Sequence, residues 1–192
     1  MLSLLEIFMP LPASPVLLTG NDLVLREWAH ADLPAMVELF DDPDVAARTT
    51  LRSPFDLDAA REYLETIDRS RAEGQRLHLA ITADGHQPLG AVHLNLSRGT
   101  MGYAVGSAHR GRGLALRAMR LLTDYAHQVL QLPRLLLEIE SDNAPSIAVA
   151  RALDFRPTGD DPERVQGNGR TYSWHTWAHG APAIRRPPIR KP

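Results

Sequence analysis

The segment from Gly102 to Arg120, GYAVGSAHRGRGLALRAMR, joins a predicted strand to a long predicted helix through a loop rich in glycine and arginine. Glycine lets the backbone turn and approach a ligand closely, and the free N–H groups at a helix start attract phosphate. Arg110 and Arg112 add mobile cations beside those donors. The junction therefore predicts a pyrophosphate site. It is neither a Walker loop, which needs Gly-Lys-Ser/Thr, nor the dinucleotide fingerprint, which needs a third glycine.

A second pattern follows about thirty residues later. The segment Ser141–Ser146, SDNAPS, leads into IAVARALDF, which ends at Phe155. Together with the spacing of Arg110, Gly113 and Ala115, this pattern resembles the GNAT N-acetyltransferases. The serine three residues after the asparagine resembles the Rim-type branch, which comprises the ribosomal-protein N-terminal acetyltransferases and their relatives.

The resemblance covers roughly residues 19–177 and implies the GNAT fold. That fold is an α/β arrangement with a mixed, mostly antiparallel central sheet and helices on both faces. The fourth strand splays from the fifth, which here are TMGYAVG and RLLLEIE.

The resemblance also implies acetyl-CoA as the acetyl donor, with its pantetheine arm in the splay, and an amine as the acceptor. The N–H of Val105 would then point toward the thioester carbonyl. Asn143 would contact pantetheine and Ser146 would lie near the sulfur, so these two are the predicted catalytic residues. Arg151 would reach the adenosine end. The predicted cofactor-binding residues are Val105, Arg110, Gly111, Arg112, Gly113, Leu114, Ala115, Asn143 and Arg151.

Three features depart from the family pattern. Ala150 stands where many GNAT enzymes carry a tyrosine that protonates the leaving thiolate, so Ser146 or a water must serve. Thr100 and Met101 stand where several N-terminal acetyltransferases carry a glutamate. Asp154 replaces the usual glycine before the phenylalanine, and aspartate tolerates the left-handed conformation better than most residues.

Candidate bases are scarce. His78 and His93 lie on neighbouring predicted strands, but a strand histidine is more often a half-buried spacer. Glu138 and Glu140 alternate along the fifth strand and could activate an amine through water, although ion pairs explain them more simply. No group of residues has convincing metal-ligand spacing. We therefore expect a preference for amines of low pKa, α-amines above all.

The remaining pattern predicts the elements around the loop. Asp32 and Asp56 are predicted to cap two helices, the second of which ends near Gly74. Three antiparallel strands precede the loop, and a helix with an apolar stripe runs from the loop to about Leu130. A buried strand, a short helix, FRPT and RTYSWHTW follow. The predicted order is β-α-α-β-β-β-α-β-α-β-β.

We divide the chain into an N-terminal extension (1–18), the acetyltransferase domain (19–179) and a basic, proline-rich tail (180–192). The extension is apolar but has no basic start and is interrupted by prolines, so neither a signal peptide nor a membrane helix fits it. A mobile tail is expected from its composition.

Composition narrows the class of protein. The 192 residues include no cysteine, which excludes disulfides, thiolate metal sites and a cysteine nucleophile and suits the cytoplasm. The net charge is −2, and the last twelve residues hold four of the cations. The other 17 basic and 23 acidic residues give the body a charge of −6, which argues against a nucleic-acid surface. A membrane partner is not expected, and a homodimer is left open.

Three functions are compatible with these observations. The first is an acetyl-CoA-dependent N-acetyltransferase in which a neutral amine attacks the thioester directly. The second is a non-catalytic acyl-CoA-binding regulatory module. The absence of the family's tyrosine and glutamate is the feature that favours it. The third is an RNA- or ribosome-binding protein that uses HRGRG and the tail, which the acidic body disfavours. The sequence leaves the acceptor amine open.

Overall fold

The computed structural model describes residues 11–167 and 170–181. In these ranges the chain forms one nine-stranded sheet with five α-helices. The strands are β1 (Leu17–Gly20), β2 (Leu23–Glu27), β3 (Arg76–Thr82), β4 (Pro88–Asn95), β5 (Thr100–Val105), β6 (Arg134–Glu140), β7 (Arg156–Pro157), β8 (Glu163–Gly167) and β9 (Arg170–Gly180). The helices are α1 (Leu33–Phe40), α2 (Pro43–Arg48), α3 (Leu57–Ala72), α4 (Leu114–Gln128) and α5 (Ala144–Ala152).

The sheet is mixed and mostly antiparallel, as predicted. Its order is β1-β2-β3-β4-β5-β6-β9-β7, and β8 also pairs with β9. The parallel pair is β5 with β6, because α4 carries the chain back between them. On its other side, β5 pairs with β4 in the antiparallel direction, and β6 likewise pairs with β9.

One face of the sheet packs on α4 and α5. The apolar stripe of α4 supplies the buried residues Ala118, Met119 and Leu122, which pack against alternate residues of the central strands. Phe155, which follows α5, is fully buried in the same core. This layer fixes where α4 begins relative to the end of β5.

The opposite face packs on α1, α2 and α3. Aromatic side chains dominate there, and Phe40 has its ring 5.4 Å from that of Phe55 in an edge-to-face contact. Small residues line the sheet beneath them, since Ala80, Ala91 and Ala104 lie in register across β3, β4 and β5. The small side chains allow the helices to approach the sheet closely.

Three elements were not predicted from the sequence. The strand β1 crosses the boundary drawn between the extension and the domain after residue 18, and it forms because it pairs with β2 along its whole length. The helix α2 begins at Pro43, because the Asp42 carboxylate accepts from the N–H groups of Asp44 and Val45. The charged strand β8 forms by pairing with β9.

The predicted helix caps had mixed outcomes. Asp56 caps α3 by accepting from the Ala59 N–H at 2.9 Å, as predicted. Asp32 occupies the N-cap position of α1 as predicted, but its carboxylate binds the Arg26 guanidinium at 2.7 and 2.9 Å and the Ala29 N–H instead of an N–H group of α1. Asp154 adopts the left-handed conformation expected of it, with φ +62°.

The described part of the N-terminal segment packs on the domain. Val16 is buried, and its N–H donates to the Glu27 carboxylate at 2.8 Å. Arg71 binds the same carboxylate and also the Pro12 carbonyl. Among the described residues, no helix is both long and apolar enough to cross a bilayer. The predicted tail lies almost wholly outside them.

Candidate active site

A gap opens between the two parallel strands. β5 and β6 pair only at Thr100 with Leu136 and Met101 with Leu137, near the start of β5. Beyond these pairs, Gly102–Val105 stays bound to β4, and the end of β6 stays bound to β9. The strands therefore diverge toward their carboxyl ends, and the gap matches the splay that the sequence predicted between TMGYAVG and RLLLEIE.

Main-chain groups of β5 face this gap. The Gly99 carbonyl accepts a hydrogen bond from the Leu136 N–H on the β6 side. The Gly106 N–H donates to the Leu89 carbonyl on the β4 side. Because main-chain groups alternate along a strand, the N–H groups of Tyr103 and Val105 lie on the gap side. No β6 residue pairs with either of them in the described ladder. The N–H of Val105 is thus available where the sequence predicted a carbonyl contact.

The start of α4 lies just after β5 and offers a row of free donors. Gly111 and Gly113 have φ +77° and +68°, a conformation that glycine adopts without strain, and the space where a Cβ would stand is open at both. Within the described residues, no acceptor is placed for the N–H groups of residues 111–116. A helix start with unpaired N–H groups suits an anion, so the geometry fits the predicted pyrophosphate site.

The start of α5 lies on the other arm of the gap. Asn143 caps this helix, since its Oδ1 accepts from the Ser146 N–H at 3.2 Å. The Ser146 hydroxyl is half-buried and lies 3.0 Å from the hydroxyl of Tyr103 on β5. The structure thus brings Ser146 beside the strand that carries Val105.

Comparisons with known proteins agree with this geometry. Residues 22–156 match the Acetyltransferase (GNAT) domain family. The chain belongs to that family. An uncharacterized N-acetyltransferase, p20, of Bacillus licheniformis is 28% identical over 153 residues, which are 76% of this chain and 86% of p20. The chain is accordingly an acyl-CoA-dependent N-acetyltransferase, as the sequence predicted.

Solved GNAT structures share the fold. A ribosomal-protein-S5-alanine acetyltransferase from Vibrio fischeri superposes with a TM-score of 0.75 at 17% identity, covering 89% of this chain and 100% of that protein. RimJ of Mycobacterium smegmatis, solved with a CoA disulfide, gives 0.71 at 20% identity and covers 90% and 89%. At these identities the likeness concerns the fold alone.

The two arginines of the GNAT loop differ in their surroundings. Arg110 binds Asp44 at 2.6 Å and Asp42 at 3.4 Å, and its Nε donates to the Val105 carbonyl at 3.2 Å. It therefore links the loop to α2. Arg112 is exposed, and among the described residues its guanidinium makes only a 3.5 Å contact with the Ala108 carbonyl. Its guanidinium is the freer of the two to meet a phosphate.

The other predicted residues on α5 lie farther along the helix. Arg151 is near its end, where its guanidinium stands 5.9 Å from the centre of the Trp177 ring. Its predicted role at the adenosine remains a prediction. Ala150 is fully buried in the core shared with α4, so nothing in its side chain can serve the thiolate.

On the α3 side of the sheet, two histidines lie beside the gap strand. His78, His93 and Gly102 are in register across β3, β4 and β5. The imidazoles stack at 5.4 Å, and the His93 ring fills the space that a side chain at Gly102 would need. Tyr63 on α3 has its hydroxyl 3.3 Å from His78 Nδ1.

These histidines are poor bases. Burial, helped by the neighbouring imidazole and by Arg76, lowers the pKa of His78 to about 3. Burial, with Arg76 adding to it, lowers the pKa of His93 to about 4. Both rings are therefore neutral at pH 7 and bind a proton far more weakly than an α-amine does.

The two glutamates of β6 form ion pairs, the simpler explanation given above. Glu140 is buried and accepts from Arg170 at 2.6 and 2.8 Å. Glu138 is half-buried 3.0 Å from Arg98, and burial raises its pKa. No group of three metal-binding side chains occurs in residues 11–167 or 170–181.

Sequence reasoning missed a cleft beside α2 and the residue that shapes it, Arg170. Arg170 also donates to the Ala47 carbonyl at 2.7 Å, so it fastens α2 to the sheet. A cleft of about 730 Å³ lies beside it, and its lining comprises Asp41, Asp42, Pro43, Ala46, Ala47, Ser53 and Arg170. A lone arginine carries no signal for this role, because its partners are 30 and 123 residues away.

Proposed function

We propose that the protein transfers the acetyl group of acetyl-CoA to a primary amine by direct attack, with protein N-terminal α-amines or small-molecule amines of low pKa as acceptors. The acyltransferase class follows from the family. The acceptor, the donor contacts and the catalytic roles are the proposal.

The divergence of β5 from β6 is the observation that carries it. The gap exposes the Val105 N–H, and α4 presents the free N–H groups of residues 111–116 at the next turn of the chain. A donor lying along β5 would meet both sets at once, with its pyrophosphate at α4 and its thioester near Val105. Asn143 and Ser146 stand on the other arm of the gap, as contacts for the pantetheine arm and the sulfur.

In the proposed reaction, this chain contributes position and polarisation. The Val105 N–H would donate to the thioester oxygen as negative charge develops there, which stabilises the transition state. Holding amine and thioester together removes much of the entropic cost of their encounter. With no cysteine in the chain, a cysteine-bound acyl intermediate cannot form.

The residues around the gap support an acceptor that is already neutral. An α-amine with a pKa of 7.7–8.0 is about 10–15% neutral at pH 7, whereas a lysine amine with a pKa near 10.4 is about 0.04% neutral. A base would have to close that factor of a few hundred, about 3–4 kcal/mol. His93, with a pKa of about 4, and the ion-paired Glu140 do not supply one.

A competition experiment tests the proposal. A peptide with a free N-terminus and no lysine is mixed in equal amounts with its N-blocked, lysine-containing counterpart, and acetylation by acetyl-CoA is followed by mass spectrometry and thiol release. We expect the free N-terminus to react faster by tenfold or more. Faster reaction of the blocked lysine peptide would refute the preference. Binding of acetyl-CoA without thiol release, across a screen that also includes small amines, would instead favour the regulatory module.

A further inference from the structure

Tyr103 is a residue to which neither the family pattern nor the sequence assigned a role. Its hydroxyl donates to Ser146 Oγ at 3.0 Å. Among the described residues, this is the only side-chain hydrogen bond that joins β5 to α5. It therefore spans the two arms of the gap, two residues before Val105.

The direction of this hydrogen bond matters. A phenol, with an ordinary pKa near 10, is the more acidic of the two hydroxyls and hence the better donor. Burial raises the pKa of Tyr103 further, so its proton stays in place at neutral pH. Ser146 then acts as the acceptor, and its own hydroxyl hydrogen is left to point at a third group.

The surroundings of Ser146 limit what that third group is. Its N–H is already taken by the Asn143 cap at 3.2 Å. No other described residue accepts from its hydroxyl, which is half-buried at the side of the gap. The open direction for the hydrogen is the gap itself, where the proposed function places the sulfur.

We propose that Tyr103 is a positioning residue that holds the Ser146 hydroxyl with its hydrogen directed at the departing sulfur. This inference rests on the proposed function. As the C–N bond forms and the C–S bond breaks, the electron pair of the broken bond goes to sulfur. Ser146 stabilises the thiolate by a hydrogen bond, which the donation from Tyr103 strengthens. The proton lost by the attacking nitrogen passes to solvent and balances the charge.

This arrangement explains how the chain could stabilise the leaving thiolate although position 150 carries alanine instead of tyrosine. The tyrosine hydroxyl that many relatives carry at this position of α5 is absent here, because the residue is alanine and its methyl group is buried in the core. Tyr103 supplies a hydroxyl from β5 and reaches the same helix one turn earlier, at Ser146. Tyr103 and Ser146 thus provide two hydroxyls in series, one helical turn before position 150.

The test is a double-mutant cycle on an amine acceptor that the wild-type protein acetylates. Tyr103→Phe keeps the ring and removes the hydroxyl. We expect kcat to fall about three- to tenfold, with KM for acetyl-CoA within twofold of the wild-type value. Ser146→Ala should lower kcat by at least as much. Because Tyr103 acts through Ser146, adding Tyr103→Phe to Ser146→Ala should change kcat no further.

Tyr125→Phe is the matched control. Tyr125 is also half-buried, and its hydroxyl has no partner among the described residues, so its removal should leave kcat unchanged. Melting temperatures establish that each variant is folded. Multiplied effects in the double variant, or a Tyr103→Phe variant with wild-type kcat, would overturn the positioning role alone. A wild-type protein that releases no thiol with any amine would overturn the proposed function, and this role with it.

Discussion

At the residue scale, Gly113 is the most direct probe of the predicted pyrophosphate loop. Gly113→Asp would put a carboxylate beside the free N–H groups of α4, where a phosphate is expected. The negative charge repels the ligand and competes for the same donors. We expect isothermal calorimetry to show at least a tenfold loss of acetyl-CoA affinity, about 1.4 kcal/mol.

Gly74 provides a control for the backbone strain that this substitution also introduces. It has φ +67°, nearly the value of Gly113, and its surroundings are equally open at the end of α3. Gly74→Asp should therefore destabilise the fold by a similar amount and leave acetyl-CoA affinity unchanged. Wild-type affinity in a folded Gly113→Asp variant would show that the phosphates bind elsewhere.

At the scale of elements, the histidines that stack across β3 and β4 make stability depend on pH. Their folded pKa values, about 3 for His78 and about 4 for His93, lie below the unfolded value near 6.5. Between these pKa values, both histidines are protonated in the unfolded chain and neutral in the folded chain. The free energy of unfolding is therefore highest above pH 6.5 and decreases as the pH falls toward 4. At pH 4.5 the loss is roughly 2 kcal/mol for each histidine.

Urea unfolding at pH 7 and pH 4.5 measures this loss. His93→Gln cannot titrate, so it should reduce the difference between the two pH values by about 2 kcal/mol. His86→Gln, at an exposed position in the turn before β4, is the control and should retain the full difference. An equal loss in wild type and His93→Gln would mean that the stacked pair is not what destabilises the sheet in acid.

At the scale of the whole molecule, the proposed donor site spans elements that the fold must hold together. A ligand that binds only the folded state at one hundred times its Kd stabilises it by about 2.7 kcal/mol. For a chain of this length we expect CoA to raise the melting temperature by about 5–10 °C. Pantetheine at the same concentration lacks the pyrophosphate and should give a clearly smaller rise. Equal rises would show that the α4 donors contribute nothing to binding.

The sequence alone determined the parts of the site that depend on consecutive residues. The turn at Gly111 and Gly113, the start of α4 and the left-handed Asp154 follow from local backbone preferences, which a few neighbouring residues encode. The apolar spacing of α4 determined part of its buried face, since Leu114, Ala118 and Leu122 lie in the core. The resemblance carried by the loop and by the segment after β6 was enough to predict the family and the splayed sheet.

Only the tertiary structure decided which distant groups meet. Tyr103 and Ser146 are 43 residues apart, and Arg170 and Glu140 are 30 apart. The strand β1 exists only because β2 pairs with it, and Asp32 turned to Arg26 because folding placed that guanidinium beside it. Such contacts depend on how the sheet and helices pack as a whole. Helix periodicity and turn residues describe single elements, so they could not determine them.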